Sequence, residues 1–471
     1  MSKPKPTKLK DPRLHRRLAQ MTARALEDLG AGFPEMMGTE AELEAAYRFF
    51  DNDAVSPEAI LAPHVQESIE SAAKLGRVLV LHDSSWLVFG GESVRKGLGR
   101  VGKGKKHDGF LGHFGLGVSR DGQRLPLGLF GLSTMAFDKP VVKKTQKQTL
   151  ADPERKSLRW GALIIKVENL LAPRGIEVTH VGDRETDDYG LFEELVEADI
   201  QFVFRLRYDR TVCEAPGMKE SLRALMKRHV HQVEREVPLS PRGSDRAPVD
   251  LEVYPPREQR LARLQIRAVA VDLPRPRSRK SDCKAPSLRL NMVQVLEVDP
   301  PSGEAPVEWL LVTNEPIDTS EQIESVVDAY RTRWVIEEYF KALKTGCAME
   351  ERQLETRARL ENALAFLAPV AVSLLRLRNL ARDAPERPAS AALTETQLAL
   401  LAQLARKPLP ESPTVVEAMY AIAALGGHLK RNGRPGWRTL HRGFQKLTDA
   451  EAGWRAALAP RARTERRVRA L

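Results

Sequence analysis

The segment from Tyr330 to Lys344, YRTRWVIEEYFKALK, constrains the fold most strongly because its polar residues recur at helical spacing. The residues in question are Tyr330, Arg333, Glu337 and Lys344, at offsets 0, 3, 7 and 14. At about 100° per residue, their side chains fall within roughly 60° of one another on a helix. A neighbouring apolar stripe consists of Ile336, Phe340 and Leu343. The spacing predicts one helix that docks on a core and presents a charged stripe to a groove.

The charged stripe combines a carboxylate with two cations and a phenol, which suits a metal-dependent phosphodiester enzyme. Glu337 would be a ligand for Mg²⁺. Arg333, Lys344 and the Tyr330 hydroxyl would meet phosphate oxygens. The alternative for the same residues is an Arg/Glu salt bridge on a solvated helix.

Two aspartates follow short apolar, β-branched runs elsewhere in the chain. The run RVLVLHD ends at Asp83, and IEVTHVGD ends at Asp183. Both acids are expected at strand ends, because a strand interior penalises an unpaired carboxylate and a sheet edge does not. With a helix carboxylate they would form an oxygen site for two divalent metals about 3.5–4 Å apart. Helix capping and turn formation are the alternative roles of such aspartates.

Composition suits a polyanionic partner, since 74 Lys and Arg against 63 Asp and Glu give a net charge of +11. Basic runs occur at 95–106, 139–147 and 461–469. Runs of this kind are commonly solvated surface, so they indicate electrostatic attraction and not base reading.

The three cysteines are widely separated and have no zinc-type spacing, which favours reduced thiols in a cytoplasmic setting. The longest apolar stretch, residues 363–375, is far shorter than the ~20 residues that cross a bilayer. We expect a buried helix there and no membrane partner.

The order of patterns predicts an α/β protein with four regions. Residues 1–71 form a helical DNA-binding domain, and residues 72–204 with 325–384 form the catalytic core. Residues 205–324 form a β-rich insertion, and residues 385–471 a helical C-terminal domain. The length of the chain is consistent with several domains.

Several motifs together resemble one family. YRTRWVIEEYFKALKTG resembles the Y-(2)-R-(3)-E-(6)-K signature of the insertion-sequence-four transposases, whose best known member comes from transposon five. GDRETDD at 182–188 resembles the segment with their second catalytic Asp, and HDSS at 82–85 resembles their first. AYRFFDN at 46–52 and SPEAILAPH at 56–64 resemble their N-terminal DNA-binding module, and EWLLVTNEP at 308–316 the strand before the signature helix.

This resemblance implies a DDE transposase with an RNase H-like core. Asp83, Asp183 and Glu337 would be the catalytic, metal-binding triad for Mg²⁺, with Mn²⁺ as a substitute. The implied contacts to double-stranded DNA are Tyr330, Arg333, Lys344 and Trp309, the last stacking on a flipped base. A homodimer formed through the C-terminal domain would join transposon ends to target DNA by cut-and-paste chemistry, in a bacterial cytoplasm at the nucleoid.

Two other classes stay open. An RNase H-like nuclease would cleave DNA without joining ends. A catalytically silent DNA-binding inhibitor is suggested by the start MSKPKPTKLKDPRL, which lacks the Trp-containing and acidic stretch that family members often carry.

Replacing Glu337 with Gln should abolish DNA cleavage and leave folding nearly intact, because the amide keeps the shape and removes the ligand charge. Thermal denaturation and cleavage of a labelled DNA end check the two parts. Strand transfer by this variant would refute the role of Glu337 as a metal ligand.

Overall fold

The computed structural model describes residues 9–27, 34, 37, 39–90, 95–101, 108–137, 148, 158–239, 256–429 and 433–458. The basic runs at 139–147 and 461–469 lie outside these residues. Of the basic run at 95–106, residues 102–106 also lie outside them.

The chain divides into two compact units. The helical unit comprises Met1–Arg77, Ser84–Val142 and Trp334–Leu471. The sheet unit comprises Val78–Asp83 and Lys143–Arg333.

The described residues form helices and strands in the following order along the chain. The helices are α1 (Pro12–Glu27), α2 (Glu40–Asp51), α3 (Pro57–Ala73), α4 (Leu158–Leu171), α5 (Tyr189–Glu197), α6 (Leu222–Arg228), α7 (Ser320–Thr332), α8 (Trp334–Lys341), α9 (Arg357–Asp383), α10 (Glu395–Leu404), α11 (Val415–Leu425) and α12 (Trp437–Leu458). The strands are β1 (Arg77–Phe89), β2 (Gly99–Arg100), β3 (Asp108–Ser119), β4 (Pro126–Met135), β5 (Glu177–Gly182), β6 (Gln201–Arg205), β7 (Thr211–Cys213), β8 (Lys219–Ser221), β9 (Val233–Leu239), β10 (Arg260–Pro274), β11 (Ser287–Val298) and β12 (Glu308–Thr313).

The sheet unit is a mixed, open sheet with helices packed on it. Its strand order is β1-β5-β6-β12-β11-β10-β7-β8, with β9 also paired to β10. The β5–β6 pair is parallel, whereas β6–β12, β12–β11 and β11–β10 are antiparallel. A parallel pair needs a crossover connection, which α5 supplies between β5 and β6. Strands β7 to β12 all lie within residues 205–324, where the sequence predicts a β-rich insertion.

Aromatic side chains from α5 and β6 occupy the core of the sheet unit. Phe192 stacks on Phe202 at 5.9 Å between ring centroids, and Phe202 lies 4.8 Å from Phe204. All three are fully buried, together with apolar residues of α4, α6, β10 and β11. This packing holds the strand after Asp183 against the helices, and so stabilises the carboxyl ends of β5 and β6.

The helical unit contains the antiparallel hairpin β3–β4 and helices whose starts are capped by side chains. The hairpin turns at Asp121 and Gly122, residue types that favour tight turns. Ser56 accepts a hydrogen bond from the Ala59 amide and caps α3, and Pro57 occupies the first position of this helix.

The apolar stretch expected as a buried helix lies inside α9. This helix is long and apolar enough to cross a membrane, but 83% of its most apolar window is buried inside the protein. Asn362 of α9 donates to the Phe50 carbonyl at 3.0 Å, and Arg376 donates to the carbonyls of Pro126 and Leu127. These contacts make α9 the core helix of the helical unit.

Two local expectations are wrong. β1 does not end at Asp83 but continues to Phe89, because Ser84 to Phe89 keep a hydroxyl, aromatic and β-branched composition that suits a strand. The signature segment is not one helix: α7 ends at Thr332, α8 begins at Trp334, and a π-helical turn follows at Ala342–Gly346. A single stripe requires a constant rotation of about 100° per residue along the whole segment. The interruption at Arg333 and the wider π-helical turn change this rotation, so the four polar side chains do not form one stripe. The predicted domain boundaries stay predictions.

Replacing Phe202 with Ala should lower the apparent free energy of unfolding by about 3–5 kcal/mol, because the ring is fully buried between two others. Leu261→Ala, at a side chain that is 64% exposed, should change it by less than about 0.5 kcal/mol. Denaturant unfolding measures both. Equal losses in the two variants would contradict the assigned core.

Candidate functional site

Two aspartates come from neighbouring strands of the sheet unit. Asp83 lies in β1, at the last residue that this strand contributes to the sheet unit, and Asp183 directly follows β5. β1 and β5 are adjacent in the sheet. Asp183 also shapes the backbone after β5, because its Oδ1 accepts the Glu185 amide at 2.8 Å. The capping role weighed for this residue is therefore real, and it leaves Asp183 a second carboxylate oxygen.

Arg333 of the signature segment forms an ion pair with Asp83. Its Nη1 donates to Asp83 Oδ2 at 3.0 Å, across 250 positions of sequence. The two side chains are only 9% and 16% exposed. A charge-assisted hydrogen bond with so little solvent is stronger than a surface ion pair. Tertiary structure thus joins two motifs that the sequence presents separately.

Arg159 is a second arginine near the two aspartates, and no sequence motif singles it out. It lies in the first turn of α4 and forms an ion pair with Glu185. Burial lowers the pKa of Arg159, while the carboxylates of Glu185, Asp183 and Asp83 act in the opposite direction. The only sequence signal was its position at the start of an amphipathic helix that precedes β5. The acids in the sheet unit are therefore compensated by two guanidinium groups.

Trp309 and Tyr330 contact each other within the sheet unit. Their ring centroids are 5.4 Å apart in an edge-to-face arrangement. Trp309 is partly exposed, but Tyr330 is only 3% exposed. Arg205 donates to the Tyr330 hydroxyl at 3.5 Å and to the Glu308 carbonyl at 3.0 Å. Tyr330 therefore supports one side of the Trp309 ring.

Glu337 and Lys344 belong to the helical unit. Glu337 is partly exposed in the first turn of α8. Lys344 lies in the π-helical turn, where its Nζ donates to the Trp86 carbonyl at 2.5 Å and pairs with Glu350 at 3.3 Å. Glu350 also accepts the Val88 amide at 2.9 Å. These contacts hold Lys344 beside the second half of β1.

A buried hydrogen-bonded chain lies beside the two aspartates. His82 Nε2 and His180 Nδ1 are 2.8 Å apart, and His180 Nε2 is 2.9 Å from Glu168 Oε1. Both histidines are fully buried. Burial lowers the pKa of the His180 imidazole, and Glu168 opposes that shift.

The donor set around Asp83 and Asp183 suits a hard divalent cation, because carboxylate oxygens are the ligands that Mg²⁺ prefers. Asp83 already binds a cationic group, the Arg333 guanidinium. Within the part of the chain that the structure describes, no group of three or more His, Cys, Asp or Glu side chains is arranged as a metal site. A divalent cation bound through Asp83 Oδ2 would compete with the Arg333 guanidinium for that oxygen.

Two family models match the chain. Residues 4–55 match the model described as transposase DNA-binding, and residues 168–372 match the model described as transposase DDE domain. The first match includes the AYRFFDN segment, and the second includes Asp183 and Glu337. Asp83 precedes the second match, so its assignment depends on the contacts described above.

The matches and the mixed α/β sheet support a transposase of the DDE class. A DDE domain implies an RNase H-like core and a metal-dependent enzyme that cleaves DNA. The DNA-binding domain supports DNA as the partner of this protein. A catalytic-domain match does not favour the silent DNA-binding alternative.

Replacing Arg333 with Met should lower the apparent free energy of unfolding of the metal-free protein by about 1–3 kcal/mol, because a partly buried carboxylate loses its cation. Added Mn²⁺ should raise the melting temperature more in this variant than in the unmodified protein. Arg331→Met is the matched control, since Arg331 pairs with a half-exposed Asp328. If Mn²⁺ raises the melting temperature of Arg333→Met no more than that of Arg331→Met, Arg333 and the metal do not compete for Asp83.

Proposed function

We propose that the protein cleaves the ends of a DNA transposon and joins them to target DNA by cut-and-paste chemistry. The Y-(2)-R-(3)-E-(6)-K spacing of the segment 330–344 supports the insertion-sequence-four type of DDE transposase, similar to that of transposon five. In this proposal Asp83, Asp183 and Glu337 are the metal-binding acids.

The observation that carries the proposal is the ion pair between Arg333 and Asp83. Helical spacing points to Arg333 and a strand pattern points to Asp83, and these two sequence patterns are independent of each other. A surface helix with a local Arg/Glu salt bridge would not require the arginine to bond to a strand carboxylate 250 positions away. The contact therefore favours a shared site over the solvated-helix alternative.

Bound Mg²⁺, or Mn²⁺ in its place, would activate the attacking oxygen and stabilise the leaving oxygen of a phosphodiester. The chain's own contribution begins with Asp83 and Asp183, which present carboxylates from two adjacent strands of a rigid sheet. Arg333 and Arg159 hold these acids while no divalent cation is bound.

The four residues proposed to contact DNA differ in how exposed their side chains are. Lys344 and Trp309 are partly exposed, so a phosphate and an unstacked base can reach them with little rearrangement. Tyr330 and Arg333 are buried, so they would reach DNA only when their present contacts open. We assign Tyr330 a second task, which is to support the Trp309 ring from its edge.

Action on two transposon ends at once requires two active sites, and we propose a homodimer in a synaptic complex. We assign dimerisation to the C-terminal helices, residues 385–471. The proposed location is the bacterial cytoplasm, at the nucleoid.

The test uses the purified full chain and labelled duplexes from the DNA that flanks its own coding sequence, with Mg²⁺, Mn²⁺ or EDTA. Asp183→Asn should abolish cleavage without unfolding the protein, because asparagine caps the turn after β5 as well as aspartate does. Asp199→Asn, in an exposed turn with φ of 53°, makes the same chemical change away from the acids and should cleave normally.

Metal-dependent nicks, hairpins and joined products, absent with Asp183→Asn, are the expected result. Nicks that never proceed to joined products would replace the proposal with a nuclease. Binding without cleavage under either metal would replace it with a silent DNA-binding protein.

A further inference from the structure

The hydrogen-bonded chain of His82, His180 and Glu168 joins three elements of the sheet unit. His82 belongs to β1, His180 to β5, and Glu168 to α4. The two bonds measure 2.8 Å and 2.9 Å, and the Glu168 side chain at the outer end is 18% exposed. We call these three residues the His-His-Glu chain.

The direction of the protons in the chain follows from its outer end. A glutamate carboxylate at neutral pH only accepts hydrogen bonds, so His180 donates from Nε2 to Glu168. His180 Nδ1 is then the acceptor, and His82 donates from Nε2. Both imidazoles thereby have a fixed tautomer and ring orientation, in a core where a rotated ring would lose its partner.

The His-His-Glu chain lies next to both strand aspartates in sequence and in the sheet. His82 immediately precedes Asp83, and His180 stands three residues before Asp183 on the adjacent strand. A bond between side chains of adjacent strands fixes their register as well as their separation. Glu168 extends the link to α4, the helix that carries Arg159.

We propose that the His-His-Glu chain is a set of positioning residues that holds Asp83 and Asp183 at the separation needed to bind divalent metal. This inference rests on the proposed function, because it assigns a task at the same acids. Metal sites tolerate errors of only about 0.5 Å in their ligands, and side chains that brace ligands from behind supply this precision.

Four variants distinguish the loss of a hydrogen bond in the His-His-Glu chain from the loss of side-chain volume. Glu168→Ala removes the outer acceptor with little risk to folding, because the side chain is partly exposed. Glu168→Gln keeps a carbonyl acceptor for His180. His82→Leu removes the inner donor, and His82→Gln restores an N–H donor. Asn169→Ala, at an exposed neighbour on α4, is the matched control.

The primary measurement is Mn²⁺ binding to the full chain without DNA, by calorimetry and by the paramagnetic resonance signal of free Mn²⁺. Glu168→Ala and His82→Leu should weaken binding by about 10-fold or more, whereas the Gln variants and Asn169→Ala should retain most of the affinity. DNA binding in EDTA, which does not need metal, should be unchanged in all of them. The Mn²⁺ concentration for half-maximal cleavage should rise in parallel with the loss of affinity.

The outcomes distinguish the inference from the function on which it rests. If Glu168→Ala and His82→Leu stay folded and bind Mn²⁺ like the unmodified protein, the positioning role is overturned and the proposed function is untouched. If the Gln variants are as impaired as the Ala and Leu variants, hydrogen bonding is not the cause and the role is also overturned. If the unmodified protein neither binds Mn²⁺ nor cleaves DNA with it, the proposed function fails and the inference fails with it.

Discussion

A carboxylate removed from water needs a counter-charge, and at Asp83 the guanidinium of Arg333 provides it. The pair closes a loop of 250 residues, so the sheet unit must bring the end of α7 to β1 before either charge is compensated. Arg159 adds a second cation near Asp83, Asp183 and Glu185. The negative charge of these acids is therefore balanced by guanidinium groups of the chain itself.

The signature segment consists of the end of α7, the short helix α8 and a π-helical turn, and its two ends make different contacts. The end of α7 carries Tyr330 and leads to Arg333, both turned into the sheet unit, where they contact Trp309 and Asp83. In the helical unit, the π-helical turn carries Lys344, which donates to the Trp86 carbonyl and forms an ion pair with Glu350. A wider turn costs helix regularity, and such turns are frequent at functional sites. The break at Arg333 thus separates Tyr330 and Arg333, which contact Trp309 and Asp83, from Lys344, which contacts Trp86 and Glu350.

The family matches and the structure contribute different parts of the assignment. The matches establish a DNA-binding domain and a DDE domain, and the second begins at residue 168, after Asp83. The case for Asp83 comes from its strand, its neighbour β5 and its bond to Arg333. His82, the residue before Asp83, is bonded to His180 and through it to Glu168. The structure therefore adds a contact between β1 and β5 that the family matches do not describe.

The sequence by itself determined the local structure and the residue types of the site. Ser56 and Pro57 begin α3, Asp121 and Gly122 turn the β3–β4 hairpin, and Asp183 follows β5, because caps, turns and periodicity act over a few residues. Only the tertiary structure decided that β1 continues past Asp83, that the predicted helix breaks at Arg333, and that Tyr330 is buried under Trp309. It also decided that Arg159 and His180 stand beside the acids. These outcomes depend on strand pairing and on contacts between residues far apart in the chain, and spacing along a sequence carries no information about which distant side chain will complete a buried charge.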